Sequence, residues 1–450
     1  YCIFERSGKS IFGILNENKN YYYLLSLLNS KIVFYISDCL NPTVSIQTGD
    51  INRIPYIQPN PETREIIERL AKINVEISKE ILSFRIFEPN YLQSPIVLNT
   101  QQNWHNQIKT FLDYENILNS QIILNEALIN EKIFEIYDLT ENDKSIVLSE
   151  EGASIGELPV SMASRDAFLA ANSTFNITLD NICKFITELP IQEFSAEERI
   201  FIESEFPILY QSNNDLEEFC IRHQVNPINV WYWFKQANIL PEQRMHTLAM
   251  EFLADLIREI LMEDEDGIVP LANGSGEKAL LERIEDKFYE KGFSQAQFST
   301  FDSVLGRPLE DYINQHFFAA LSDHLNLFMY LPKTPFIWHL SSGPEQGFDC
   351  YIIIYKWSRD KLLRIRSQYI ERRERALLNR QSDLAGNPSA EAQNKKDRIF
   401  KQLKEIEAFK KKIDELLSEG YNPILDDGVG KNIAPLQKKG MLPYDVLNPG

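Results

Sequence analysis

Residues that mark a metal centre or a disulfide scaffold are scarce in this chain. Its 450 residues include five cysteines, which lie far apart and form no C-x-x-C pair, and six histidines without metal-ligand spacing. A zinc cluster needs closely spaced thiolates or imidazoles, so we expect no metal site. Scattered cysteines in odd number are typical of reduced thiols in a cytoplasmic protein.

Long apolar runs are absent too. No run reaches the ~20 residues of a membrane-spanning helix, and no signal peptide is recognisable. The apolar stretch 21–36 is interrupted by Ser26, Asn29 and Lys31 and predicts a buried core helix. Since Tyr1 opens the chain in what reads as the inside of a domain, we expect a piece of a longer cytoplasmic protein without membrane contact.

The sequence also lacks recognisable catalytic motifs. Gly428-Val429-Gly430 does not follow a strand and open a helix, as a dinucleotide-binding turn does. Glu285-Asp286-Lys287 has the acid-x-lysine pattern of nucleases, but it lies in a predicted amphipathic helix, where this spacing arises by accident. We therefore predict no catalytic and no cofactor-binding residue in this chain.

The net charge of −19 is unevenly distributed along the sequence. Residues 356–412 hold 17 Lys or Arg against 8 Asp or Glu, residues 1–72 are nearly neutral, and residues 73–355 carry the acidic excess. Because the local field steers a charged partner more than the total charge does, the basic segment is compatible with nucleic acid.

Apolar periodicity predicts an α+β protein that is mostly α-helical. We expect helices at 20–40, 61–84 and 101–137, through most of 140–265 and 277–330, and at 358–385 and 391–418. Residues 43–57 predict a strand, a turn, and a second strand or loop, while 335–340 and 348–357 predict a β-hairpin.

The two last helices form the clearest pattern. Apolar residues recur every seven positions in both, at Leu363, Ile370, Leu377 and Leu384 and at Ile399, Ile406 and Ile413. With the turn signal at 386–389, this spacing predicts a long antiparallel helical hairpin of the coiled-coil type.

Basic side chains follow the same period. Arg359, Arg366, Arg373 and Arg380 predict a column with steps of about 10 Å beside the apolar seam. Such a column suits contact with DNA phosphates. The alternative is a solvated coiled-coil face whose arginines pair with glutamates on the hairpin: Glu371, Glu374, Glu405 and Glu407.

Two further segments admit two interpretations each. The loop from Asn41 to Arg53 is rich in Asn, Thr, Ser and Gln, which either read base edges or make turns and caps. Residues 226–235 concentrate aromatic side chains, which either stack on unpaired bases or, as we favour, fill a core.

Several motifs together resemble one family. The segments 24–31 and 41–55 resemble the end of a target-recognition domain, as found in methyltransferases fused to their own specificity domain. Four further motifs resemble the C-terminal half of PglX, the adenine-specific DNA methyltransferase of BREX phage-exclusion systems: Asn226-Pro227-Ile228-Asn229-Val230-Trp231, Asp264-Glu265-Asp266-Gly267-Ile268-Val269-Pro270-Leu271, Trp338-His339-Leu340-Ser341-Ser342-Gly343 and Leu425-Asp426-Asp427-Gly428-Val429. The resemblance covers about residues 20–435.

The resemblance implies a parent enzyme that methylates adenine N6 in double-stranded DNA, uses S-adenosylmethionine and works with other phage-defence complex proteins. It transfers no catalytic residue, because Asn41-Pro42-Thr43-Val44 lacks the second proline and the aromatic residue of the methyltransferase loop. We therefore expect this chain to be the DNA-recognition portion, without its methyl-transfer domain and inactive alone. The alternative is a non-catalytic interaction scaffold of the same complex without direct DNA contact.

We predict four regions: 1–98, the end of a target-recognition domain with a connecting helix; 99–265, an acidic helical scaffold; 266–357, an α/β region with the β-hairpin; and 358–450, the basic helical hairpin and tail. We expect DNA contacts from two groups of residues. The loop supplies Asn41, Thr43, Ser45, Gln47, Thr48 and Arg53, and the hairpin supplies Arg359, Arg366, Arg372, Arg373, Arg380, Lys395, Lys396 and Arg398.

Overall fold

The computed structural model describes residues 21–41, 48–100, 103–175, 180–209, 215–272, 278–325, 335–386 and 388–447. These residues are mostly helical, with one small antiparallel sheet, which confirms the predicted fold class. The chain divides into two compact units, Tyr1–Phe84 with Lys109–Arg244, and Arg85–Ile108 with Met245–Gly450. The predicted division into four regions is finer than these two units and stays a prediction.

The first unit is helical. Its helices are α1 Tyr21–Leu28, α2 Lys31–Leu40, α3 Thr48–Ile51, α4 Pro61–Leu82, α5 Trp104–Ile136, whose first five residues belong to the second unit, α6 Glu141–Glu150, α7 Met162–Phe175, α8 Asp180–Glu188, α9 Ala196–Ser204, α10 Phe206–Leu209, α11 Leu216–His223 and α12 Pro227–Ala237. The sequence signals several starts: Asn60 caps α4 ahead of Pro61, and Thr140 and Asp143 form a capping box on α6. The core gathers apolar side chains from most of these helices, including Leu70, Leu124, Phe168 and Trp231.

The N-terminal part differs from the prediction in two places. The single helix expected at 20–40 is two helices bent by 60°, because the chain turns at Asn29 and Ser30. Among the described residues no single helix is long and apolar enough to cross a membrane, and α1 and α2 meet the length and composition only as this bent pair. The strand or loop expected at 43–57 is wrong for Thr48–Ile51, which form a helical turn.

The second unit surrounds the sheet. Its helices are α13 Glu242–Glu263, which begins in the first unit, α14 Leu280–Glu290, α15 Gln295–Thr300, α16 Asp302–Leu305, α17 Leu309–Asp311, α18 Phe317–Leu325, α19 Lys361–Arg364, α20 Glu371–Asp383, α21 Ala390–Ser418, α22 Val429–Asn432 and α23 Ala434–Lys438. Trp104 packs among phenylalanines in this unit, with its ring 5.0 Å from that of Phe293 and 5.1 Å from that of Phe301.

The sheet contains the predicted β-hairpin and one strand more. Strand β1 is Ile268–Pro270, β2 is Ile337–Ser341 and β3 is Asp349–Ile353, in the order β1-β3-β2 with both pairs antiparallel. Every strand residue is buried. The sequence reading missed β1 because a three-residue strand that is buried on both faces shows no alternation.

The antiparallel helical hairpin is confirmed by the contacts that cross it. Arg366 pairs with Asp414 and Glu374 pairs with Lys410, so the residue numbers run in opposite directions on the two helices. The predicted apolar seam holds at Ile370 and Leu377 and fails at Leu363, whose side chain is 51% exposed. A π-helical turn at Ile365–Ile370 accounts for this failure, since its extra residue changes the helix phase and buries Leu362 and Ile365 instead.

Candidate functional site

The start of the helical hairpin is held by the acidic turn 264–267. The carboxylate of Asp266 accepts a hydrogen bond from Tyr369 Oη at 3.2 Å and one from Arg364 Nη1. The nearly buried Lys361 donates to the backbone carbonyl of Asp266. Three side chains of the hairpin therefore converge on one aspartate of the turn.

The turn itself is fixed by its first carboxylate. Asp264 Oδ1 accepts the backbone N–H groups of Asp266 at 3.1 Å and Ile268 at 3.3 Å, and Arg283 Nη1 donates to Oδ2 at 2.9 Å. Lys356 Nζ donates to the Asp264 carbonyl at 2.6 Å. The acidic motif noted in the sequence is thus a structural clamp that joins β1 to the hairpin.

A second attachment lies further along the hairpin, at the loop between β2 and β3. Glu405 of α21 accepts the backbone N–H groups of Glu345 at 2.9 Å and Gly347 at 3.2 Å, and Gln402 Nε2 donates to the Glu345 carbonyl at 3.0 Å. A Cβ atom on Gly347 would lie 2.5 Å from the Gln402 carbonyl oxygen. Only glycine permits this close approach of the two backbones.

The arginines of the hairpin near the sheet take part in these attachments. We call Arg364, Arg366 and Arg373 the proximal arginines. Arg364 binds Asp266 and Asp360, Arg366 pairs with Asp414 through Nη2 at 3.0 Å, and Arg373 Nε donates to the Gly347 carbonyl at 3.1 Å. Burial, and after it the neighbouring charge of Arg380, lowers the pKa of Arg373.

Three arginines towards the turn between α20 and α21 are placed differently. We call Arg375, Arg380 and Arg398 the distal arginines. All three are exposed, and none has a carboxylate within 4.0 Å among the residues that the structure describes. Arg359, ahead of α19, shares both properties.

The remaining predicted hairpin residues are engaged within the hairpin. Lys395 pairs with Glu391 at 2.5 Å, and Lys396 Nζ donates to the Ala385 carbonyl at 3.5 Å. Arg372 lies over the ring of Tyr369, with 6.0 Å from the guanidinium carbon to the ring centroid. The hairpin therefore carries both locally paired basic residues and exposed ones that have no carboxylate partner among the described residues.

Only part of the predicted base-reading loop is described. Thr43, Ser45 and Gln47 lie outside the described residues, and Thr48 begins α3 without a described side chain. Asn41 caps α2 through its backbone N–H, and its side chain donates to Asp50 Oδ2 at 2.9 Å. Arg53 is exposed. The turn-and-cap interpretation fits Asn41, and the base-reading interpretation stays a prediction.

The aromatic segment 226–235 is core, as favoured. Trp231 and Trp233 are each 3% exposed and Phe234 is fully buried. Asn226 Nδ2 donates to the carbonyls of Gly156 and Leu158 at 3.1 and 2.8 Å. This motif fastens a neighbouring loop and leaves its tryptophan rings no face for an unpaired base.

Other residues weighed as chemical groups also have structural places. Lys287 sits in α14 as predicted and bonds Glu263 and Glu290 at 2.7 and 2.6 Å. No group of His, Cys, Asp and Glu within the described ranges is arranged to hold a metal ion. Gly428 follows a 3₁₀ turn and opens the four-residue α22, so this segment does not fit the strand-to-helix turn that binds a nucleotide cofactor.

Comparison with known proteins reveals distant relatives over nearly the whole chain. No family model matches. The chain is 21% identical over 453 residues to the adenine-specific methyltransferase BrxX of Escherichia coli O9:H4 (strain HS), covering 96% of this chain and 33% of that protein. It is 21% identical over 449 residues to the adenine-specific methyltransferase PglX of Lacticaseibacillus casei (strain Zhang), covering 97% and 32%. The chain thus spans about a third of the length of these relatives.

Proposed function

We propose that this chain is the DNA-contacting portion of an adenine-specific DNA methyltransferase of a phage-defence system. The distal arginines carry the proposal, because exposed guanidinium groups that have no carboxylate partner in the described part of the chain suit bidentate contact with phosphates. The relationship to two adenine-specific methyltransferases supports the assignment to this class of enzyme. Other defence proteins act with it in the cytoplasm.

In this proposal the clamp and the loop contacts hold the hairpin against the sheet, and the distal arginines position the duplex without reading its sequence. Base reading belongs to the loop 41–53. We place methyl transfer from S-adenosylmethionine in a domain outside this chain; the misfit of the Gly428 segment to a cofactor-binding turn supports this assignment.

The test is duplex-DNA binding across a salt series by the chain and by a variant with Arg375→Gln, Arg380→Gln and Arg398→Gln. Each lost phosphate contact lowers the salt slope by about one, so we expect the slope to fall by about two to three. Affinity should fall at least tenfold at low salt.

A charge-matched control replaces three exposed lysines of the first unit: Lys72→Gln, Lys79→Gln and Lys184→Gln. Its slope should stay near that of the parent chain. Equal losses in both triple variants would indicate a response to total charge and would contradict phosphate contact by the hairpin.

A second candidate function, a surface for a protein partner, is favoured by one observation in the acidic first unit. Ile200, Phe201 and Ile208 are 65%, 60% and 61% exposed, although large apolar side chains are usually buried. If this surface binds a defence protein, Ile200→Ser with Phe201→Ser should abolish its co-purification and leave duplex binding intact. Unchanged co-purification would remove the candidate.

A further inference from the structure

Two cavities of the second unit meet beside the loop that joins β2 and β3. Their volumes are about 350 and 500 Å³, within the range of small-molecule sites. Both are lined by Asn314, Gln346 and Asp349, which therefore form the wall that the cavities share. Each of the three carries a polar side-chain group that makes no hydrogen bond to a residue that the structure describes.

Of these three side chains, that of Asp349 gives the strongest evidence for a ligand. Its side chain is 4% exposed, and Oδ2 lies 2.9 Å from His339 Nε2. The other oxygen, Oδ1, is buried and forms no hydrogen bond to any residue in the described ranges. A buried carboxylate oxygen without a partner is costly and rare in proteins, which indicates that a ligand or a water molecule supplies the missing donor.

The two amides point to a ligand more specifically. Neither the Asn314 nor the Gln346 side chain makes a hydrogen bond within the described part of the chain. Gln346 also has a φ of 55°, a left-handed conformation that glycine adopts at much lower cost. A left-handed conformation alone also occurs at helix C-caps such as Gln224, so it is the position of Gln346 between two cavities that points to binding.

The smaller cavity adds charge of both signs. Arg373 and Arg398 line it together with Glu282 and Glu310. The arginines suit a phosphate, whereas the two glutamates disfavour a ligand that is anionic throughout. A ligand for this site therefore combines an anionic group with hydrogen-bond donors.

We propose that this site binds a cytosine nucleotide, whose base carries an exocyclic amino group at C4. The amino group donates to Asp349 Oδ1, as carboxylates accept from cytosine N4, and the Asn314 and Gln346 amides pair with the base edge. The phosphate lies against Arg373 and Arg398. The nucleotide is either free or a unit of a single DNA strand. Arg398 is shared with the duplex contacts of the proposed function, whereas Asn314, Gln346 and Asp349 belong to this site alone.

CMP and UMP are the decisive probes, because the amino group at C4 of cytosine is a carbonyl oxygen in uracil. Calorimetric titration of the 450-residue chain should give CMP at least about tenfold tighter binding than UMP, since a carboxylate gains a bond with one and faces an acceptor with the other. Inorganic phosphate alone should bind more weakly than CMP. Equal affinity for CMP and UMP, or no binding of CMP, would overturn the proposal.

Variants locate the binding. Gln346→Gly removes the amide and relieves the backbone, so the chain should keep or raise its Tm and lose about tenfold in CMP affinity. Gln224→Gly is the matched control, since Gln224 is also left-handed, with a φ of 49°, and lines neither cavity. CMP affinity that is unchanged in Gln346→Gly, or reduced equally in Gln224→Gly, would contradict the assignment.

Two further experiments distinguish a free nucleotide from a single DNA strand, and nucleotide binding from duplex binding. A dC oligonucleotide that binds at least as tightly as CMP, with a dT oligonucleotide weaker, identifies a strand as the source, whereas CMP binding alone identifies the free nucleotide. Duplex binding should persist in Gln346→Gly even where CMP binding is lost. A failure of this inference is thereby distinguishable from a failure of duplex contact by the distal arginines.

Discussion

Near the sheet, arginines of the helical hairpin bond to the protein, while towards the turn between its helices they face solvent without carboxylate partners in the described ranges. Arg373 donates to the Gly347 carbonyl, and Arg380, one heptad later, is exposed. The two residues look equivalent in the sequence. Their difference arises because only the proximal end contacts the acidic turn and the β2–β3 loop.

The comparison teaches how a basic helix divides its charge between structure and binding. The proximal arginines are only partly exposed and bond within the protein, so they leave little charge for a DNA duplex. Exposed arginines without an ion pair contribute little to stability and are available to phosphates. Four expectations test this division, from the largest effect to the smallest.

We expect the largest loss of stability from adding a side chain at Gly347, where two backbones lie close together. Gly347→Ala places a Cβ atom 2.5 Å from the Gln402 carbonyl oxygen, so we expect a loss of about 3 kcal/mol in the free energy of unfolding. Gly430→Ala is the control, because nothing lies within 4 Å of its Cβ position. Denaturant titration of both variants measures the difference, and equal stabilities would show that the loop does not anchor the hairpin.

Breaking the acidic clamp should cost somewhat less. Asp266→Ala removes the acceptor of Arg364 and Tyr369, and hydrogen bonds of charged groups are worth about 2 kcal/mol. The neighbouring Glu265 is exposed, so Glu265→Ala should leave the free energy of unfolding nearly unchanged. A loss of the same size in both variants would contradict the clamp.

Comparing single arginines one heptad apart tests the division itself. Arg373→Gln should destabilise the chain by about 1 kcal/mol, because it leaves a backbone carbonyl without its donor. Arg380→Gln should change the free energy of unfolding by less than about 0.5 kcal/mol. The two values come from parallel denaturation curves, and a larger loss for Arg380→Gln would reverse the assignment of the two ends.

The smallest effect concerns pH at the start of α19. Hydrogen bonds from Ser358 and Arg364 lower the pKa of Asp360 from 3.8 to about 2. A carboxyl whose pKa is depressed by folding stabilises the fold above pH 3.8, and this contribution is lost as pH falls towards 2. Asp360→Asn should therefore lower Tm slightly at pH 7, with a difference that shrinks below pH 4.

The matched control for this pH dependence is Asp383→Asn, at the exposed end of α20. Its Tm should differ from that of the parent chain by the same small amount at every pH. A difference for Asp360→Asn that grows on acidification would show that the pKa is raised, not lowered.

Much of the fold followed from local patterns. The long helices α4, α5 and α21 begin at capping residues or prolines and repeat apolar positions, so their spacing sufficed. The strand Ile268–Pro270 was not predicted, because it is defined by pairing with β3, which is distant in the sequence. The prediction that Leu363 is buried was wrong, because a π-helical turn interrupts the heptad repeat. No local signal in the sequence marks that turn.

The candidate site was predictable only in part. Spacing predicted a column of arginines, but which members bond inward depends on Asp266, Gly347 and Asp414, which lie far away in sequence. Arg380 lies one heptad from Arg373 on the same face of the helix, whereas Arg375, two residues on, lies on a different face. The motif 264–271 was noticed only as part of the family resemblance. Its structural role, which is to bond the start of the hairpin, became visible only in the structure.

The central claim, that distal arginines contact DNA and proximal ones hold the fold, is tested most directly by two charge-matched triple variants. One carries Arg375→Gln, Arg380→Gln and Arg398→Gln, and the other carries Arg364→Gln, Arg366→Gln and Arg373→Gln. Both are measured for Tm and for the salt slope of duplex binding, below the Tm of each. We expect the distal variant to lose slope and keep its Tm, and the proximal variant to lose Tm and keep its slope. Equal slopes in both, or a slope lost only in the proximal variant, would contradict the claim.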